Sequence, residues 1–76
     1  MNKVKRVRIN KIVSELDLLL SKVETLRDEE QYAFDNMPEN LQDSSKGEIL
    51  EEKIDQLDDA TDYLSDAIES LREAAG

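Results

Sequence analysis

Residues 36–47 read NMPENLQDSSKG and form the one cluster of turn-favouring residues in a chain of 76 residues. Pro38 disfavours a helical conformation for the residue before it, so a helix is expected to end near Asn36. The residues after Pro38 can form one short helical turn. Ser45, with Glu48 three residues later, is a capping box that predicts the start of a second helix. The stretch therefore predicts a connector between two helices.

On the N-terminal side of the connector, apolar residues recur at alternating steps of three and four, the spacing of positions a and d in a helical heptad lettered a to g. These residues are Ile9, Ile12, Leu16, Leu19, Val23 and Leu26. Val13, Leu20 and Phe34 lie at the neighbouring e position and widen the apolar stripe to the face of a bundle helix. The pattern predicts a helix over residues 9–36, preceded by a basic arm over residues 1–8.

On the C-terminal side of the connector, a second seam of a and d positions is interrupted only by Thr61. Its apolar members are Leu50, Ile54, Leu57, Leu64, Ile68 and Leu71. Ala60, Ala67 and Ala74 occupy g positions and are small enough to let a neighbouring helix approach closely. The pattern predicts a second helix over residues 46–74.

The connector, residues 37–45, folds the two helices back on each other in an antiparallel arrangement. The fold class is therefore predicted to be all-α: a single domain, residues 1–76, built as an antiparallel two-helix hairpin. Glu30, the charged residue on the first seam, should then lie near Lys53 or else point to water. Three apolar pairs are expected to face each other: Leu26 with Leu57, Leu19 with Leu64, and Ile12 with Leu71.

The core of one hairpin is expected to be thin, because 38% of the residues are hydrophobic and only 4% are aromatic. Small chains with thin cores are often stabilised by self-association. Leu18 and Tyr63 lie at c positions outside the main seam and, with Leu20, could form a second seam. Through this seam two hairpins would pair as a homodimeric four-helix bundle. The alternative is that these are scattered surface apolar residues.

The composition excludes several kinds of chemistry. The chain contains no histidine and no cysteine, which removes histidine bases, thiol nucleophiles, disulfides and Cys/His zinc sites. Its two glycines do not make a phosphate-binding loop, and no calcium-loop motif occurs. We therefore expect a protein that is not an enzyme and has no cofactor and no metal site. The longest purely apolar run, residues 18–20, is too short to span a membrane, so we expect a cytoplasmic protein without a membrane partner.

Charge is distributed unevenly along the sequence, which carries 19 acidic and 10 basic residues and a net charge of −9. Residues 1–27 hold seven basic and three acidic residues, for a net charge of +4. Residues 28–76 hold three basic and sixteen acidic residues, for a net charge of −13. In an antiparallel hairpin the basic start of the chain lies beside the end of the second helix, where Glu69 and Glu73 can partly neutralise it.

The second helix carries an acidic residue at every b and f position. These residues form what we call the acidic stripe: Glu48, Glu52, Asp55, Asp59, Asp62, Asp66, Glu69 and Glu73. No basic residue interrupts the stripe, so like charges repel at every turn. We interpret the stripe, with Tyr63 as an anchor within it, as a polyanion mimic that occupies the basic, nucleic-acid-binding surface of an unidentified partner protein. The alternative is a solvated face that keeps a structural dimerisation module soluble.

The basic arm supports a third interpretation. Its basic residues, which alternate with apolar ones, are Lys3, Lys5, Arg6, Arg8 and Lys11. Such a cluster can bind nucleic acid directly, although the acidity of the rest of the chain disfavours this. The simpler explanation is a first helical turn or a frayed tail.

The segment EEQYAFDNMPENLQ, residues 29–42, followed by Ser44 and an acidic helix up to Leu71, resembles a family of short, uncharacterised helical proteins from phages and mobile elements of Gram-positive bacteria. The resemblance brings no catalytic activity with it. It implies that four connector residues build a defined turn: Asn36, Pro38, Asn40 and Leu41. It also implies a protein of a bacterial host's cytoplasm that blocks a nucleic-acid-binding or defence machine, by analogy with acidic DNA mimics.

Overall fold

The protein is an all-helical hairpin. The computed structural model describes all 76 residues and contains α1 (Lys3–Asp35), α2 (Glu39–Gln42) and α3 (Ser45–Ala75), with no strand. The long helices α1 and α3 pack side by side in opposite directions, and the Cα atoms span 58 × 15 × 12 Å. The predicted hairpin is thereby confirmed, including the short helical turn in the connector.

Helix α1 begins six residues earlier than the apolar pattern predicts. Asn2 caps it, because the Asn2 side-chain oxygen accepts a hydrogen bond from the backbone N–H of Lys5 at 2.9 Å. The basic residues from Lys3 onward are therefore helical. At the other end, the backbone N–H of Asn36 donates to the carbonyl of Tyr32 at 3.1 Å, and the helix ends at Asp35, close to where Pro38 predicts.

The start of α3 differs by one residue from the predicted capping box. The cap is Ser44, whose hydroxyl accepts from the backbone N–H of Gly47 at 3.5 Å, and Ser45 is already the first residue of the helix. Sequence spacing alone favours Ser45 because Glu48 follows it by three. The Ser44 hydroxyl also donates to the carbonyl of Leu41, which ties the cap to α2.

The connector packs against the start of α3 at Gly47, which is buried. A side chain at this position would collide with the backbone carbonyl of Gln42 and lie 2.6 Å from the carbonyl oxygen of Leu41. The side-chain amide of Gln42 donates to the carbonyl of Phe34 at 3.0 Å, so α2 also holds the last turn of α1. The chain therefore reverses direction through a close contact that only glycine permits.

The interhelical core is thin, and on α1 it is not formed by the predicted a and d seam alone. Only three apolar side chains are buried: Val13, Ile54 and Ile68. Ile54 and Ile68 occupy the predicted seam of α3, but Val13 lies at position e of α1. Thr61, the polar residue in the α3 seam, is satisfied because its hydroxyl donates to the carbonyl of Asp58 at 2.7 Å.

The d positions of α1, predicted to face α3, are instead exposed. Ile12, Leu19 and Leu26 retain 45%, 49% and 52% of their accessible surface. Helix α1 is rotated so that its a and e positions face α3, because the e position carries apolar side chains and also Arg27, which hydrogen-bonds to Asp58 of α3. The heights along the hairpin are as expected, since Leu26 and Leu57 line one groove between the helices.

Candidate interaction surfaces

The acidic stripe lies on α3 with every one of its eight carboxylates exposed. From Glu48 to Glu73 it extends about 38 Å at the rise of an α-helix. No stripe residue forms an ion pair within 4.0 Å, because the three ion pairs of the protein use other carboxylates. The stripe is therefore a line of negative charge without an intramolecular counterion.

The ion pairs involve two arginines. Arg27 lies 2.7 Å from Asp58 of α3 and 3.1 Å from Asp28 of its own helix, and Arg72 of α3 lies 3.4 Å from Asp17 of α1. The hydrogen bond to Asp28, and then that to Asp58, raises the pKa of Arg27 above its ordinary value. These contacts stabilise the antiparallel register and leave the stripe untouched.

Glu30 and Lys53 line the same groove, as the register predicts, but they do not form an ion pair. Glu30 is half-buried and Lys53 is exposed. The register is therefore held by Arg27 and Asp58, one turn away, and Lys53 is left free to meet solvent or a partner.

The three residues of the predicted dimer seam do not share one surface. Leu18 and Tyr63 are 59% and 71% exposed, whereas Leu20 is half-buried. Two residues along a helix turn the side chain by about 200°, so Leu20 faces α3 when Leu18 faces away from it. Tyr63 is exposed on α3 between Asp59 and Asp66 of the stripe.

The five basic residues near the N-terminus, Lys3 to Lys11, belong to the first turns of α1 and are all exposed. None of them forms an ion pair, so Glu69 and Glu73 make no direct salt bridge to them. Their positions point to all sides of the helix. They therefore do not form one basic face of the kind that follows a nucleic-acid backbone.

An uncovered apolar surface runs along one side of the hairpin. It was not predicted from the sequence. We call it the open apolar face: exposed Ile12, Leu19 and Leu26 of α1, with half-buried Leu57, Leu64 and Leu71 of α3. The available signal was the width of the apolar stripe on α1, in which positions a, d and e from residue 9 onward are apolar except at Glu30 and Arg27. A two-helix hairpin can bury only two of those positions.

The open apolar face and the acidic stripe lie on different sides of the hairpin. On α3 the buried Ile54 is flanked by Lys53 on one side and by Asp55 of the stripe on the other. Lys53 lines a groove with Leu26 and Leu57, whereas Asp55 lines a groove with Phe34 and Ile54. One surface can thus be covered while the other stays accessible.

No cluster of three or more acidic side chains in the structure is arranged to hold a metal ion. None of the helices has the length and apolar character that crossing a membrane requires. Comparison with protein-family models, with curated proteins and with solved structures found no match to this chain. The surfaces themselves are therefore the basis for a functional proposal.

Proposed function

We propose that this protein is a non-enzymatic protein-interaction module whose acidic stripe docks on the basic surface of a partner protein. The observation that carries the proposal is the line of eight exposed carboxylates on α3, none of which has an ion-pair partner within the chain. Unpaired charge of one sign attracts a surface of the opposite sign and accelerates its association.

A surface that normally holds nucleic acid is the best match to this pattern. The stripe presents one carboxylate per roughly 5 Å along the helix. One strand of duplex DNA presents one phosphate per about 3.4 Å, so the two linear charge densities are of the same order. The resemblance of the connector to mobile-element proteins adds an analogy to inhibitors that act inside a bacterial host.

Charge reversal within the stripe tests the proposal. Asp55, Asp59, Asp62 and Asp66 are replaced together by lysine, and capture of nucleic-acid-binding proteins from a bacterial lysate is compared with the unaltered protein. The unaltered protein should retain proteins that duplex DNA or high salt releases, and the variant should lose them. Equal capture by the variant in moderate salt would contradict the proposal.

A matched control separates stripe geometry from net charge. Four exposed acidic residues outside the stripe are replaced by lysine: Glu24, Asp35, Glu39 and Asp43. This variant has the same net charge as the stripe variant but keeps the carboxylate line intact. It should capture the same proteins as the unaltered chain. A direct gel shift of DNA by the unaltered chain would favour binding through Lys3 to Lys11 instead.

A second candidate function is a structural dimerisation module whose acidic residues serve only to keep it soluble. The open apolar face favours it, because Leu19 and Leu26 are each about half exposed on the long side of the hairpin. This function needs association through that face and makes no demand on the stripe. This function would be established if Leu19→Glu abolished both self-association and the protein's biological effect while the stripe variant kept both.

A further inference from the structure

We propose that a second copy of this chain covers the open apolar face, in an antiparallel arrangement whose twofold axis passes beside Leu19 and Leu64. The proposal deepens the dimerisation function and rests on association through that face. The two hairpins form a four-helix bundle in which α1 packs against α1 and α3 against α3. Position d of α1, rather than Leu18, Leu20 and Tyr63, supplies the seam.

Covering this side would bury apolar surface and stabilise the protein. Only three apolar side chains are buried within one hairpin, whereas three large apolar residues of α1 are about half exposed in one row. The hairpin measures 58 × 15 Å across its long face. A second copy laid along that face would cover about 800 Å² on each partner, which is the area of a standard specific interface.

The charges beside the open apolar face identify the occupant. Position g of α1, next to position d, carries residues of alternating sign at seven-residue intervals: Arg8, Glu15, Lys22 and Glu29. All of them are exposed and none has an ion-pair partner within the chain. Arg8 lines a groove with Ile9 and Ile12, which places this row at the edge of the face.

An antiparallel pair of α1 helices centred on Leu19 matches every one of these charges. Ile12 of one copy then meets Leu26 of the other. At the edge, Glu15 lies opposite Lys22 of the second copy, and Arg8 lies opposite Glu29. In antiparallel helix pairs, residues on the same flank pair with each other, so twofold symmetry generates four attractive contacts.

Other registers lose this match. A parallel pairing does not bring the two g rows together, because the g flank of one helix then lies opposite the other flank of its neighbour. A shift of the antiparallel pair by one heptad places Lys22 against Lys22 and Glu15 against Glu29. Like charges in these positions repel. If α1 instead packed against α3 of the second copy, the only attractive pair between g positions would be Glu29 with Lys53. The charge pattern therefore specifies both the direction and the register of the pair.

The same axis serves α3. Leu26 and Leu57 line one groove, so Leu19 and Leu64, one heptad further along, lie at one height. The axis then sets Leu57 opposite Leu71 of the second copy. From residue 60 onward, small side chains occupy the adjoining g positions and permit close approach: Ala60, Ala67 and Ala74. The acidic stripes of the two copies remain on the outside.

Disulfide trapping tests the axis, since the chain has no cysteine of its own. A Leu19→Cys variant should form a covalent dimer under mild oxidation, because only a residue on the axis meets its own copy. Ile12→Cys and Leu26→Cys should each form no covalent dimer alone and should cross-link to each other when the two variants are mixed. Cross-linking of Ile12→Cys with itself, without cross-linking of Leu19→Cys, would overturn the register.

Charge exchange tests the flanking contacts by sedimentation equilibrium, with circular dichroism confirming that each variant folds. Glu15→Lys and Lys22→Glu should each raise the dimer dissociation constant about tenfold, since each turns two attractive contacts into repulsive ones. The double variant should restore it, and Glu52→Lys on the stripe should leave it unchanged.

A folded monomer of the unaltered chain at about 100 μM would overturn the proposal. Because the stripe is untouched by the trapping and exchange variants, capture through the stripe succeeds or fails separately.

Discussion

Arg27 of α1 donates from its Nε to Oδ1 of Asp58 of α3 at 2.7 Å, and this contact joins the e positions of the two long helices. It accompanies the orientation in which the a and e positions of α1 face α3. With Arg27 reaching across the hairpin, Val13 at the same heptad position is buried, and Leu19 at position d turns outward. One polar contact thus accompanies the exposure of the apolar face on which the dimer proposal rests.

Removal of the interhelical partner of Arg27 should destabilise the hairpin more than removal of its neighbour. Asp58→Ala is expected to lower the melting temperature by a few degrees, because it breaks a contact between helices. Asp28→Ala is the control, since Asp28 lies beside Arg27 on one helix and should have a smaller effect. Melting followed by circular dichroism measures both.

The pH dependence of this contact follows from its effect on Arg27. The hydrogen bonds to Asp28 and Asp58 raise the pKa of Arg27, so the folded state favours the charged guanidinium. A raised pKa of a base adds stability below its unfolded-state pKa, and that stability is lost only in strongly alkaline solution. The difference in melting temperature between the Asp58→Ala variant and the unaltered protein should therefore stay constant from about pH 6 to about pH 9. A difference that changes steeply within this range would contradict the assignment.

Gly47→Ala should destabilise the protein, although alanine ordinarily favours a helix over glycine by about 1 kcal/mol. The added Cβ would collide with the carbonyl of Gln42 and force the connector away from α3. We expect a loss of about 1–3 kcal/mol in the free energy of unfolding, measured by urea denaturation.

Gly76→Ala is the matched control for this substitution. At Gly76 a Cβ would lie 3.4 Å from the carbonyl oxygen of Arg72, which is an ordinary contact. This variant should unfold at the same urea concentration as the unaltered protein. If Gly47→Ala behaved in the same way, the close contact between α2 and α3 would be wrong.

Truncation of the buried isoleucine on α3 should cost far more than truncation of an exposed one. Ile54 retains 5% of its accessible surface and Ile49 retains 54%. Ile54→Ala is expected to lose about 2–4 kcal/mol of unfolding free energy, and Ile49→Ala less than about 1 kcal/mol. Urea denaturation of the two variants gives the comparison, and equal losses would contradict the observed core.

Added salt should stabilise this protein. The acidic stripe repels itself and has no intramolecular counterion, so screening relieves more repulsion than it weakens attraction in the three ion pairs. The melting temperature should rise between about 20 mM and about 0.5 M sodium chloride. The stripe variant, with Asp55, Asp59, Asp62 and Asp66 changed to lysine, should show a smaller rise. A fall for the unaltered protein would show that attractive pairs dominate.

The sequence by itself determined the helical hairpin and its register. Proline and a cluster of turn-favouring residues interrupt two long runs of three-and-four spacing, and such local signals act without help from the rest of the chain. Leu26 and Leu57 line one groove as the connector length predicts. The outward position of the acidic residues follows from the same periodicity.

Only the tertiary structure decided which face of α1 meets α3. From residue 9 onward, position d of that helix is apolar throughout and position e is apolar except at Arg27, so spacing within α1 does not choose between Leu19 and Leu20. The choice depends on contacts between residues far apart in sequence, such as Arg27 with Asp58 and Gln42 with Phe34. Those contacts exist only once the chain has folded. A hairpin of two helices can bury two positions of a three-position apolar stripe, so the folded structure must leave the third position uncovered.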